Sequence, residues 1–219
     1  MAENETQADS RERLLDEAEI LFAQKGFEGV SVREITRAAH CNLAAVNYYF
    51  GNKENLYLEV FRSRWMPRAR RIQESFRQSL KGEGDQSLNH IIQCLALAFL
   101  KGPLSEAERK CHHQLMAREM AQPTEALEML AEQIMRPFFR ELTDMIRPLI
   151  PEGIHEEELM LSAMGIFAMI LYFGFGRVAV TRLLGCEYDD ALTKRLSGYI
   201  ADFSIGGLQR LNGEMHHGG

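Results

Sequence analysis

Between Ser31 and Lys53 the chain reads SVREITRAAHCNLAAVNYYFGNK, and few folds accept that order of residues. Ser31 is a good helix N-cap, and Glu34, three residues on, completes a capping box. A helix is therefore expected over Val32–Ala39, with Val32, Ile35 and Ala39 on one face. The corner is His40-Cys41-Asn42. Asn42 is placed to cap a second helix, Leu43–Phe50. Gly51-Asn52 should end it, because both residues tolerate the left-handed backbone past a helix C-terminus. Helix, three-residue turn, helix is the spacing of a DNA-reading helix-turn-helix.

The second helix is unusual for a purely structural one. Val46 and Phe50, four residues apart, can face inward together with Cys41. That turns Leu43, Ala44, Ala45, Asn47 and Tyr48 outward. A solvated helix face normally carries Lys and Glu. Small residues instead let a helix sit deep in a major groove, where Asn can pair with adenine and an apolar tip can touch the thymine methyl. Tyr can hydrogen-bond a phosphate. These residues alone leave a short packed bundle helix equally open, since the same geometry occurs in proteins that never touch DNA.

Residues Ser31–Leu56 resemble the signature of the TetR family of bacterial one-component regulators. The resemblance rests on Ser31, Val32, Ile35, Ala39, His40, Cys41, Asn42, Val46, Asn47, Tyr48, Tyr49, Phe50, Lys53, Glu54 and Leu56. Upstream, Leu14, Ala18, Leu21, Phe22, Gly26 and Phe27 match the family's first helix and its exit. The match covers roughly the first quarter of the chain. There are departures: the family's turn glycine is His40, its first Tyr is Asn47 and its His is Tyr49. His40 must then adopt a conformation that suits Gly better.

The resemblance implies an all-α protein, with an N-terminal helix-turn-helix domain over 1–55 and a C-terminal helical effector-binding and dimerisation domain over 56–219. It puts base contacts at Leu43, Ala44, Ala45, Asn47 and Tyr48, and phosphate contacts at Ser31, Asn42, Tyr49 and Lys53. It also implies a homodimer, paired through the last two long helices, that represses a palindromic operator and is released by a small apolar or amphipathic effector.

Charge adds to this. The chain carries a net −6, not the bulk basicity of a non-specific DNA binder. Yet Ser31–Lys81 holds ten basic residues against four acidic ones. A basic segment around a reading helix is the footprint expected of phosphate contact, although the run Arg62, Arg64, Arg68, Arg70 and Arg71 reads equally as a solvated helix face. Cys41, Cys94, Cys111 and Cys186 show no CxxC spacing, and Met1–Ser10 is polar and acidic, more a frayed tail than a targeting peptide. Reduced thiols and a cytoplasmic location are expected.

Along the chain, helices are expected over Arg11–Lys25 (capped by Asp9 or Ser10), Lys53 to about Leu80 with a kink at Pro67, Ser87–Lys101, and Ser105–Ala121 with a second capping box. Another runs from Pro123-Thr124 to about Ile150, interrupted by Pro137 and Pro148. The last two are about His155–Leu184 and Tyr188–Leu211. Gly102-Pro103 breaks the chain between two of these helices, Lys81-Gly-Glu-Gly-Asp-Gln is the candidate linker, the domain boundary is better placed within the fourth helix or there, and Pro151-Glu-Gly is a turn. No period-two alternation marks a strand.

Leu159–Gly176 is eighteen residues without a charge, at the threshold of a membrane span. Its small residues lower its hydrophobicity and would allow close helix approach, and a helix apolar all round is better explained by burial on both sides, one face in its own domain and the other against a partner subunit. Cys111, His112 and His113 point about 100° apart on a helix and cannot converge on one metal. No cofactor or catalytic site is expected. Candidate effector-pocket walls are Phe99, Met116, Met120, Met129, Met135, Phe138, Met164, Phe167 and Tyr172, drawn from the apolar, adaptable residues of the middle helices. Two other classes stay open: an effector-independent or architectural helix-turn-helix DNA binder, and a membrane-attached helical protein.

Overall fold

The computed structural model describes the backbone of residues 2–81, 87–150 and 153–211, and the side chains of 9–81, 87–150 and 153–209. Most of the expected linker after Lys81, Pro151-Glu152 of the expected turn, and the His216-His217 tail lie outside the described residues. Among those described, every regular element is helical. In order they are α1 (Ala2–Lys25), α2 (Val32–Ala38), α3 (Ala44–Phe50), α4 (Lys53–Val60), α5 (Met66–Lys81), α6 (Leu88–Leu100), α7 (Glu106–Ala121), α8 (Glu125–Leu130), α9 (Arg136–Ile146), α10 (Glu156–Phe175), α11 (Arg177–Leu184) and α12 (Asp190–Leu211).

Two compact units form. The first comprises Met1–Arg70 and Leu104–Gln133, the second Arg71–Pro103 and Ile134–Gly219. In the first, α1 packs on α2, α3, α4 and α7, and α8 packs on α4 and α7. In the second, α12 lies along α6, and α10 packs on α6, α9 and α12. Compactness thus divides the chain otherwise than at residue 55: α7 and α8 join the helix-turn-helix module.

The core of the first unit follows the periodicity of α1. Leu14, Leu15, Ala18 and Phe22 are fully buried, as are Ile35, Val46, Leu56, Val60 and Phe61. The helix is longer than expected, because the residues before Arg11 include no Gly or Pro to stop it. Asp9 and Ser10 lie inside the helix, where both bond the Arg13 guanidinium, and neither caps it.

Pro67 acts differently from a simple kink. Lacking an N–H, it cannot serve the Ser63 carbonyl. The chain absorbs this in a five-residue π-turn, Phe61–Trp65, where the Met66 N–H bonds the Phe61 carbonyl. The Arg64 guanidinium reaches the Ser63 oxygen at 3.5 Å. Pro137 repeats the device: a π-turn, Ala131–Met135, precedes it at the same spacing. Pro148 sits in a single 3-10 turn, Arg147–Leu149.

The expected helix His155–Leu184 is divided by a turn at Gly176. The last helix begins at Asp190 rather than Tyr188, with the Asp189 carboxylate accepting from the Leu192 N–H at 2.7 Å. α10 is long and apolar enough to cross a membrane by length and composition alone. It packs instead through one face, where Leu159, Ala163, Ile166, Ile170 and Gly174 are buried.

Candidate nucleic-acid interface

The helix-turn-helix is built by three local devices. At the start of α2 the Ser31 hydroxyl accepts from the Glu34 N–H at 3.2 Å, and the Glu34 carboxylate accepts from the Ser31 N–H at 2.9 Å. That backbone bond, then the Lys25 ammonium 2.9 Å away, lowers the Glu34 carboxyl to about 2. The Ser31 hydroxyl also donates to Glu34 at 2.9 Å, so it is engaged in capping.

At the end of α2, His40 takes the left-handed conformation expected of the missing glycine, with φ 52°. Its N–H reaches the Arg37 carbonyl at 3.3 Å and the Cys41 N–H the Thr36 carbonyl at 2.8 Å. These are the two bonds of a Schellman stop. Gly51, at φ 83°, closes α3. Asn52 plays no left-handed part: it is extended and caps α4, its side chain accepting from the Asn55 N–H at 2.7 Å.

Asn42 does not cap α3. Leu43 already has helical angles, the helix starts at Ala44, and no side chain bonds its N-terminal end. The faces of α3 are otherwise as the pattern requires. Val46 and Phe50 are buried, and Phe50 lies 5.4 Å under the Arg11 guanidinium. Leu43, Ala44, Asn47 and Tyr48 are exposed, Tyr48 to 71%. Ala45 and Tyr49 are half-buried, and Tyr49 meets the Tyr48 ring edge-on at 4.9 Å. Lys53 opens α4 with its ammonium 4.2 Å over the Phe27 ring.

Much of the expected basic footprint is paired within the protein. Arg64 bonds Glu12 at 2.7 Å and Asp16 at 2.8 Å. Burial works against its charge, but these bonds hold its pKa above the ordinary value, while Arg64 lowers that of Glu12. Arg68 pairs with Glu19 and lies 3.6 Å from Glu108. In the second unit, Arg77 pairs with Glu141 at 2.6 Å and Arg71 bonds the Pro103 carbonyl at 2.9 Å. Arg64 and Arg68 therefore pin their helices to α1, while Arg62 and Arg70 stay exposed, as do Arg33 and Arg37 on α2.

The nine candidate effector-pocket residues are divided between the units. Phe99, Phe138 and Phe167 meet in the second, joined by Phe76 and Phe139, with ring centroids 4.8 to 6.2 Å apart. Met135 is half-buried there, while Met164 and Tyr172 are exposed on α10. Met116 is buried in the first unit, Met129 half-buried, and Met120 exposed to 65%. An open depression of about 320 Å³ in the first unit is lined by Ala23, Gln114, Ala117, Arg118 and Ala121, none of the nine.

His112 is buried and stacked 4.3 Å from the Trp65 ring. Burial, then His113 and Arg68, pushes its pKa down to about 3, so it is neutral. Among the described residues no three His, Cys, Asp or Glu side chains gather in a metal-holding group.

One arrangement is invisible in the sequence. Glu119, fully buried on α7, accepts the Tyr57 hydroxyl at 2.6 Å, and burial followed by this bond drives the Tyr57 pKa upward. The partners are 62 residues apart, and no local spacing announces the pair.

Known proteins resemble the chain along most of its length. Residues 14–60 match the profile of bacterial regulatory proteins of the TetR family. Residues 85–208, more than half of the chain, match the C-terminal domain of the HTH-type transcriptional dual regulator CecR. The chain is 24% identical over 196 residues to CecR of Shigella flexneri, covering 86% of each protein. It is also 24% identical over 221 residues to the HTH-type transcriptional repressor NicS of Pseudomonas putida, covering 93% of this chain and 95% of that one. A crystal structure of a transcriptional regulator from Rhodococcus sp. RHA1 superposes with a TM-score of 0.62 at 19% identity, covering 90% of this chain and 96% of the other. Profiles, relatives and fold agree: the chain is a DNA-binding transcriptional regulator of the TetR family, not an enzyme, and its C-terminal domain is of the CecR type.

Proposed function

We propose that this regulator is a homodimeric repressor that reads a palindromic operator with α3 and is released by a small apolar or amphipathic effector. The observation that carries the reading is the division of α3 into two faces. Val46 and Phe50 anchor it, and Leu43, Ala44, Asn47 and Tyr48 stand exposed on the opposite side. Asn47 reads a base edge, Leu43 and the alanines set the depth of entry, and Tyr48 reaches the groove wall; Ala45, half-buried, lies at the margin. Lys53 and Tyr49 hold phosphates, joined by Asn42, whose side chain no cap requires. Ser31 contributes through the cap that orients α2.

Dimerisation through α10 to α12 is supported by the apolar side chains those helices expose: Leu161, Tyr172, Val178, Leu183, Tyr199 and Phe203. A monomer seldom leaves so many on neighbouring elements. A two-fold pair presents two copies of α3 to successive major grooves. The effector enters beside the Phe99–Phe138–Phe167 cluster and must bind the DNA-free state more tightly, or it shifts nothing. The name of the Pseudomonas putida relative supports repression. The reading places the protein in the bacterial cytoplasm, with its DNA.

Binding titrations test the assignment. Asn47→Ala should relax preference at one base pair, worth about 1–3 kcal/mol of discrimination. Lys53→Ala should weaken all sequences alike and lower the slope of log affinity against log salt by about 0.9 for each phosphate it leaves without a cation. An Asn47→Ala protein with unchanged preference would remove Asn47 from the base-reading role.

A further inference from the structure

Glu119 lies outside the proposed DNA contact, yet it is the one fully buried carboxylate among the described residues. Burying a charge is expensive unless donors surround it, and an apolar side chain would fill the same space at lower cost. Three donors converge here. The Tyr57 hydroxyl lies at 2.6 Å, the Thr124 N–H at 3.1 Å and the Thr124 hydroxyl at 3.0 Å. Thr124 is the N-cap of α8, its hydroxyl accepting from the Ala126 N–H at 3.1 Å. The carboxylate therefore joins the α7–α8 turn to α4.

From Tyr57 the contacts run directly to the proposed DNA contact. Its ring meets Phe22 at 4.8 Å, Phe27 at 5.0 Å and Phe61 at 5.1 Å. The Lys53 ammonium rests on that same Phe27 ring, 4.2 Å from its centre. Lys53 and Tyr57 are four residues apart on α4 and share a face. The residue before Glu119 bonds the last turn of α1, four residues before Phe27: the Arg118 guanidinium donates to the Ala23 carbonyl at 3.5 Å.

We propose that Glu119 and Tyr57 are positioning residues for DNA binding: their hydrogen bond fixes α4 against the α7–α8 turn and so holds Lys53 where it meets the phosphate. The inference rests on Lys53 as a phosphate contact. It gives the α7–α8 turn a route to DNA affinity that needs no change in α3. A cation–π contact such as Lys53 on Phe27 is sensitive to the placement of the ring, and Phe27 is held on one side by Tyr57.

The test is a double-mutant cycle on the whole chain, read by fluorescence anisotropy of a labelled duplex carrying the sequence the protein enriches from random DNA, across a salt series, with thermal unfolding of each variant alongside. Tyr57→Phe keeps the ring and removes only the hydroxyl; Glu119→Gln keeps the shape and removes the charge. Each should weaken DNA binding and lower the salt slope toward that of Lys53→Ala, by up to about 0.9. Lys53→Ala with Tyr57→Phe should bind no more weakly than Lys53→Ala alone. A purely structural bond would lower the melting temperature and leave the salt slope of the folded protein intact, which overturns the proposal. Strict additivity of the two changes overturns it as well, since Tyr57 would then act elsewhere. If Lys53→Ala alone changes neither affinity nor slope, the phosphate reading fails and this inference falls with it. If Lys53→Ala acts while Tyr57→Phe and Glu119→Gln do not, only this inference fails.

Discussion

His40 holds the turn of the helix-turn-helix in a left-handed backbone where its family places glycine. A side chain in that conformation costs about 1–2 kcal/mol, partly offset by the lower entropy loss of a non-glycine residue. His40→Gly should therefore stabilise the protein, by roughly 0.5 kcal/mol, read as a higher urea midpoint at unchanged m-value. Glu34 gives a pH signature. Its carboxyl falls from 4.5 to about 2 on folding, so it supports the folded state above pH 4.5 and that support fades as the pH drops through 2. In Glu34→Gln, stability should vary less with pH across this window, as denaturation at stepped pH would show. Both residues are legible in the sequence because their partners lie within a few positions. Asn42 is not, because Leu43 itself adopts helical angles and leaves no cap position for it. Glu119 and Tyr57 are out of reach of any local pattern, since only the folded chain brings them together.

At the scale of elements, helix starts marked by a Ser or Thr cap appear where the sequence places them, at Ser31, Ser87, Ser105 and Thr124, with a capping-box Glu at Ser31 and Ser105. Capping is chemistry within one turn, which a sequence displays directly. Pro67 and Pro137 signal interruptions, but not that each is absorbed by a π-turn. The Arg run is harder. Charge counting cannot distinguish a cation that meets DNA from one that meets its own helix α1, and Arg64 and Arg68 do the latter. In the second unit the aromatic cluster joins α5, α6, α9 and α10 through Phe76, Phe99, Phe138 and Phe167. Phe138 is buried at its centre. Phe138→Ala should cost about 3–5 kcal/mol, measurable by urea denaturation followed by circular dichroism. A loss below about 1 kcal/mol would mean that the cluster leaves space there rather than filling it.

At the scale of the molecule, the all-helical class and the TetR membership follow from one stretch of sequence and the lack of strand patterning. The grouping of α7 and α8 with the helix-turn-helix does not: Gly102-Pro103 stands where the chain returns to its first unit, but a Gly-Pro pair marks a helix end and not which helices then pack together. The apolar surface of α10 to α12 defines what the whole molecule should do. Phe203 is 60% exposed on α12. Phe203→Glu should place a charge in the proposed dimer contact, and sedimentation equilibrium should then show a monomer where the unaltered protein is a dimer. The central claim is that two copies of α3 read a two-fold DNA site. The most direct measurement is selection of random duplex DNA by the purified protein at stated salt, with sequencing of the retained pool. Two copies of α3 should enrich a palindrome whose half-sites are centred about one helical turn apart. A pool indistinguishable from the starting library, from protein shown to be folded and dimeric, would contradict that claim.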